Sequence, residues 1–280
     1  MKATRKTLLI SVAAIACATG LLAASVPDDP DADGSLSAAI GPIVYRLDES
    51  PSAHGFHYTF YGNGFFINED GYLLTVAHVL ESFNNGGQAS IQVSRPNSPP
   101  QLLTLSVIAS DVAHDVAILR ATPNPFTSHC HVTYLPLTAN PAVSGQAVLA
   151  LSLHPARLQN AHSFQIPVED RSPGQVLNYE STQLDKSSPP ADLFLLSHPV
   201  TRGQSGSPVV AADSRAVVGL IEGRWLRSSA ISLTQSSALR GDTPGAAIPI
   251  HYAISLLDRK GVHWHASAAA AAKSEPAPKP

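Results

Sequence analysis

The sequence predicts an all-β fold, a pair of antiparallel barrels followed by a short C-terminal helix. Three observations carry this expectation. Ser, Thr, Ala, Val and Leu dominate the 280 residues and 23 prolines punctuate them, which favours short strands and many turns over long helices. Strand-like stretches fall into two groups, roughly 40–122 and 140–255, separated by a proline-rich connection at Pro123, Pro125, Pro136 and Pro141. Helix signals are sparse: His251–Lys260 is the best, and Arg157–Ala161 is too short to count.

Composition bounds what such a chain can do. Hydrophobic residues make up 44%, ample for a packed core, while charged residues reach only 14%, below the roughly 25% usual in soluble domains. A net charge of −3 gives no basic footprint for nucleic acid.

The N-terminus has the layout of an export signal. Met1 to Lys6 is basic, Leu8 to Ala24 is apolar with small residues at Leu22-Ala23-Ala24, and Pro27 to Asp33 is acidic and broken by proline. This sets residues 1–25 apart as signal peptide or anchor and 26–39 as linker, and implies a periplasmic or secreted protein. Three fates are open: cleavage, retention as an anchor of about the ~20 residues a bilayer needs, or lipidation of Cys17 within the lipobox-like Ala14-Ile-Ala-Cys17. The other cysteine, Cys130, then has no intrachain partner. It is flanked by His129 and His131, but neighbours on extended chain point to opposite faces, so three in a row do not converge on one ion.

Strand patterns begin at Ile40. Ile43–Leu47 and His57–Tyr61 are β-rich. Gly62–Thr75 reads as a hairpin turning at Asn68 to Gly71, and its second strand runs into Val76-Ala-His-Val-Leu80. Alternating stretches follow at 89–94 and 102–109, and Asp115 precedes the apolar Val116-Ala-Ile-Leu119. In the second group, 147–153, 164–168, 193–196, 216–222 and 246–250 are the candidate strands. The chain after 258 is assigned to an Ala/Pro-rich tail.

The stretch Thr201-Arg-Gly-Gln-Ser-Gly-Ser-Pro-Val-Val210 is the chemical signal. Gly203 and Gly206 bracket Ser205 in a tight turn, and Val209-Val210 launch a strand that anchors it. An exposed serine on a rigid turn with free backbone N–H groups suits an acyl-transfer nucleophile. His78 and Asp115 stand upstream in the first half of the chain and Ser205 in the second, so a cleft between two barrels brings a base, an acid and a nucleophile together. His114 lacks the strand context of His78 and is read as a loop residue, and Asp111, four residues short of the apolar strand, is a weaker candidate than Asp115 for the orienting acid.

These motifs resemble the chymotrypsin-fold serine proteases, and most closely the protease domain of the bacterial HtrA/Deg family. The matching stretches are Gly62-Asn-Gly-Phe-Phe-Ile67, Gly71–Leu80, Asp115–Leu119 and Arg202–Pro208, with looser matches at Val217–Ile221 and Ala247–Pro249. The resemblance implies two six-stranded barrels over residues 40–258 and a serine endopeptidase acting on proteins or peptides without cofactor or metal. It assigns Ser205 as nucleophile, His78 as general base, Asp115 as orienting acid, and the N–H groups of Gly203 and Ser205 as oxyanion hole. Pro199, six residues before Ser205, followed by Val200, implies a pocket without a carboxylate, suited to a small or medium apolar P1 side chain. Leu220, Ile221 and Glu222 are implied to pair with the substrate main chain, with Glu222 otherwise a solvated surface residue.

Departures from the pattern have consequences. Secreted trypsin-type enzymes carry Asp immediately before the nucleophile, paired with a newly cleaved N-terminus; here Gln204 stands there, so activation by N-terminal insertion is not expected. Ser207 replaces a glycine that follows the turn. About 25 residues follow the barrel, too few for a PDZ domain. Two other readings compete: a protease-like binding module that does not cleave, and an esterase. The α/β-hydrolase order is Ser, Asp, His, the reverse of this one.

Overall fold

Twelve strands, all paired antiparallel, close into two six-stranded barrels in a computed structural model that describes residues 36–48, 56–85, 88–95, 98–128, 130–155, 167–184, 187–225 and 243–267. The first barrel uses β1 (Ile40–Asp48), β2 (Phe56–Phe66), β3 (Tyr72–Thr75), β4 (Gln88–Arg95), β5 (Ser98–Asp111) and β6 (Val116–Thr122), in the order β1-β2-β3-β6-β5-β4. The second uses β7 (Ala147–His154), β8 (Val168–Thr182), β9 (Ala191–Leu196), β10 (Pro208–Ala211), β11 (Val217–Arg224) and β12 (Gly245–Pro249), in the order β10-β11-β12-β9-β8-β7. Helix α1 (Ile250–Lys260) follows directly. The stretch read as an export signal, Cys17, His129, Arg157–Ala161 and the chain after 267 lie outside the described residues.

The hairpin forms where its sequence turns. Asn68 Oδ1 accepts from the N–H groups of Asp70 (3.1 Å) and Tyr72 (3.2 Å), an Asx-type closure, and Phe65 then pairs with Leu74. Phe65, Phe66, Leu73 and Leu74 are fully buried in the first core. After β3 the chain turns at Val76 into a 3-10 helix, Ala77–Asn85, so His78 sits one turn beyond the strand on which its context suggested it.

β8 departs most from the expectation. Of the strand anticipated at 164–168, residues 164–166 lie outside the described residues, and Val168 begins a 15-residue strand running to Thr182, mostly half-exposed or exposed, with Val176 buried. Its sequence, VEDRSPGQVLNYEST, carries no apolar alternation, because closure of the barrel, pairing it with both β7 and β9, selects it.

The fold also extends past both sequence-drawn boundaries. Leu36 and Ala39, assigned to the linker, are buried in the first core. Residues beyond 258 complete α1, whose Gly261 cap is left-handed (φ 64°) with N–H bonds back to the last turn. The segment after it then packs on the strap between the barrels: Leu137 N donates to His265 O (2.8 Å) and Ser267 N to Leu137 O (2.9 Å).

Candidate active site

Asp115 closes the turn between β5 and β6 in the left-handed region (φ 53°), which Asp tolerates better than most residues. The turn aims its buried carboxylate at His78. Oδ1 accepts the His78 backbone N–H at 2.7 Å and Oδ2 meets His78 Nδ1 at 2.8 Å. With Nδ1 donating to the carboxylate, Nε2 is left to accept a proton. Burial by itself lowers the pKa of His78; the hydrogen bond and charge of Asp115, with smaller contributions from Glu222 and Glu81, outweigh it and leave the pKa raised.

Asp111 has other partners. Its Oδ2 accepts from His114 Nδ1 (3.0 Å) and Arg259 Nη2 (3.1 Å), and the His114 ring stacks on Tyr252 with centroids 4.1 Å apart. That cluster ties α1 to the first barrel, with Asp111 the last residue of β5 and His114 in the turn that follows, the loop position read for it.

Ser205 arrives from the second barrel on a turn bonded to both. Gly206 N donates to Ile221 O and Ile221 N to Ser207 O, each at 2.8 Å. From the first barrel, Asn63 N donates to Ser205 O (2.8 Å), and its side-chain amide donates to Gly203 O (3.0 Å) and accepts from Leu153 N (3.1 Å). Gly206 is required here: its φ is 78°, and a Cβ would stand 2.2 Å from Asn63 O. Gly203, at φ 96°, needs the same freedom. The N–H groups of Gly203 and Ser205 have no acceptor among the described residues. Ser205 Oγ donates to Glu222 O at 3.2 Å, and no hydrogen bond joins it to His78.

Gln204 is buried and satisfied from within. Its Oε1 accepts from Thr201 N (2.7 Å), and its Nε2 donates to Asp170 Oδ2 (3.0 Å) and Ser152 Oγ (3.3 Å).

A family profile described as "Trypsin-like peptidase domain" matches residues 62–220, more than half of the chain. The chain belongs to the trypsin-like peptidases. It is a serine endopeptidase by that membership. Among solved structures it is similar to the Rv3671c protease of M. tuberculosis in its active form, at 18% identity and TM-score 0.56 over 95% of this chain and 96% of that one. It is also similar to the HtrA-type protease AlgW with decapeptide, at 16% identity and TM-score 0.58 over 84% and 67%. The serine endoprotease from Yersinia pestis matches at 17% identity and TM-score 0.51 over 82% and 65%. At these identities the likenesses show a shared fold with HtrA/Deg-type proteases. No curated protein sequence matches the chain.

The residues read as substrate-binding divide in this peptidase. Pro199 is exposed, while Val200 is buried against Gly245, and its carbonyl accepts from Arg224 Nε at 2.9 Å. Leu220 and Ile221 depart from the expectation. Their side chains are core (0% and 1% exposed), and Ile221 spends its N–H and carbonyl on the serine turn, so neither is open to a substrate strand. Glu222 departs too: it is half-buried rather than solvated. Burial and the Asp115 carboxylate hold its pKa above the ordinary carboxylate value, against the opposing pull of His78. It lines, with His78 and Asp115, a cavity of about 560 Å³ that also takes in Glu81, Ser110 and Leu184.

Donor atoms of His78, Asp115 and Glu222 lie within 4.8 Å of one another. The ring nitrogen and carboxylate oxygen of the first two are spent on each other, so the trio is a hydrogen-bonded pair with a third carboxylate beside it. Asn63 is the residue that motif reading passed over. It stands inside Gly62-Asn-Gly, but its contacts are to residues 90 and 140 positions away, and nothing local marks them.

Proposed function

We propose that Ser205 is the nucleophile of this peptidase, His78 its general base and Asp115 the acid that orients the imidazole. The observation that carries the reading is the doubly bonded His78–Asp115 pair, with Ser205 joined to the residue whose carboxylate meets that pair. In the reaction Ser205 Oγ leaves Glu222 O, gives its proton to His78 Nε2 and bonds to the scissile carbonyl carbon. The carbonyl oxygen takes the negative charge, and the imidazolium returns the proton to the departing amine. The N–H groups of Gly203 and Ser205, which have no acceptor among the described residues, support a role as oxyanion donors; one such donor typically contributes about 2.7–4 kcal/mol of transition-state stabilisation.

The absence of a carboxylate at Pro199 and Val200, with Val200 packed against Gly245, supports a preference for a small or medium apolar P1 residue. Gln204 supports a turn shaped without a new N-terminus, because its amide is already satisfied by Thr201, Ser152 and Asp170. The N-terminal layout supports export, with residues 1–25 ahead of the peptidase domain as signal or anchor.

A fluorophosphonate probe tests the core of this reading: label is expected on the native protein and absent in Ser205→Ala. The bond from Ser205 Oγ to Glu222 O favours one alternative, a protease-like module whose serine does not engage its base. Absence of Ser205-dependent label on the folded protein decides for that alternative. Cleavage profiling on a peptide library reads the P1 preference, and N-terminal sequencing of the exported protein reads the fate of the leader.

A further inference from the structure

The cleft holding His78 and Asp115 contains an ionisable group that peptide hydrolysis does not by itself require. Glu222 stands on β11, in the barrel that supplies Ser205, whereas His78 and Asp115 come from the other barrel. Its carboxylate reaches across so that one of its oxygens, a His78 ring nitrogen and an Asp115 oxygen all lie within 4.8 Å. Its own carbonyl meanwhile accepts the Ser205 hydroxyl. One residue therefore bonds the serine through its main chain and brings its carboxylate within 4.8 Å of the His78–Asp115 pair.

A half-buried carboxylate beside another carboxylate is costly unless a cation shares the site. Among the described residues, few charged and titratable groups face the trio. Asp115 approaches His78 from the turn before β6, Glu81 from the 3-10 helix and Glu222 from β11, while Glu222 faces Asp115 and His78. The cation available to Glu222 in this cluster is thus the imidazolium, which forms when His78 takes the serine proton.

We propose that Glu222 is a positioning residue that acts through His78, its carboxylate serving with Asp115 as a second anionic partner for the imidazolium and so setting the acid limb of activity. This rests on the assignment of His78 as base. In each half-reaction the proton shuttles between His78 and the reacting groups, and both carboxylates stay ionised. Glu222 supplies charge and takes no proton.

The two predictions of this role differ from those of a packing role. Removing the charge at constant shape, Glu222→Gln, makes protonated His78 harder to hold. The acid-limb midpoint of kcat/KM therefore moves down by about 0.5–1 pH unit, the size of one partly screened charge at this distance. Plateau kcat falls a few-fold, KM stays put, and Glu222→Asp restores the limb. A packing role lowers thermal stability or raises KM and leaves the limb where it was.

The test is a pH profile of kcat/KM on a peptide substrate for the wild type, Glu222→Gln and Glu222→Asp. It is paired with NMR titration of the His78 ring in Ser205→Ala with and without Glu222→Gln, the resonance being assigned by its loss in His78→Gln. A downward move of the His78 midpoint in both measurements supports the proposal. An unmoved midpoint overturns it. If the wild type shows no Ser205-dependent hydrolysis, the assignment of the triad fails; the ring titration still decides whether Glu222 and His78 are coupled.

Discussion

Asn63 carries more of this site than its place in a glycine-rich strand suggests. Fully buried on β2, it donates to Ser205 O and Gly203 O and accepts from Leu153 N, fixing the serine turn from the opposite barrel. Asn63→Ala keeps the main-chain bond to Ser205 O but leaves Gly203 O and Leu153 N without their side-chain partners. We expect a loss of about 1–3 kcal/mol of stability and, because the turn is displaced, about a 100-fold loss of kcat/KM, checked by urea unfolding and steady-state kinetics. Gly206→Ala is expected to be worse, since it adds a Cβ 2.2 Å from Asn63 O at φ 78°. Titration makes a further prediction for single residues. The pKa of His78 is raised, so its stabilising contribution is complete below the unfolded histidine value and fades as pH rises through the folded one. Glu222 is also raised, so its contribution likewise fades as pH rises, starting from the carboxylate range. Melting temperature, measured in Ser205→Ala to avoid self-cleavage, should therefore lose these contributions on passing from acidic to mildly alkaline pH. Glu222→Gln should flatten the lower part of that slope and melt higher than its parent at neutral pH, although it weakens the chemistry.

Among the elements, α1 and the segment behind it act as a clasp. Arg259 and Tyr252 hold the helix to Asp111 and His114 at the end of β5, beside the turn that aims Asp115. Beyond Gly261, Asn68 Nδ2 donates to His263 O, and His265 O accepts from Leu137 N while its ring stacks on Tyr134 with centroids 4.3 Å apart. Deleting residues 262–280 removes several hydrogen bonds of about 1 kcal/mol each. For a domain of this size that predicts a fall in melting temperature on the order of 5–10 °C, measurable by calorimetry in Ser205→Ala. Kinetic parameters at low temperature should change less than stability, because the clasp touches no residue of the serine turn.

For the molecule as a whole, the working site is an inter-barrel object, and its integrity depends on packing rather than on covalent ties. Cys130 is a free thiol, hydrogen-bonded to Ser128 and Gln101. A reducing agent is therefore expected to leave the melting temperature unchanged within about 1 °C; a large drop would reveal an intermolecular bridge. Gln204 leads to a second expectation. A protein bearing an N-terminal extension should react with a fluorophosphonate without prior cleavage, since the Gln204 side chain is already bonded to Thr201, Ser152 and Asp170.

The order His78, Asp115, Ser205, the hairpin at Asn68 to Gly71 and the helix at the C-terminal end were legible in the sequence, because each rests on local chemistry. Apolar alternation marks strands with one buried face, glycines mark backbone that must enter the left-handed region, and a proline-rich strap marks the passage between barrels. What alternation does not mark was lost: β8 is selected by its two neighbours and not by its own pattern. Leu36 and residues 261–267 join the fold through contacts formed only once the barrels exist. At the site, the sequence determined which groups are present, including the glycine-flanked serine and the absence of a carboxylate at Pro199 and Val200. The tertiary structure alone decided that Asn63 spans the barrels, that Ile221 faces the core, and that Glu222 turns toward His78. Each of these depends on distances between strands far apart in the chain, set by barrel closure, to which local propensity is blind.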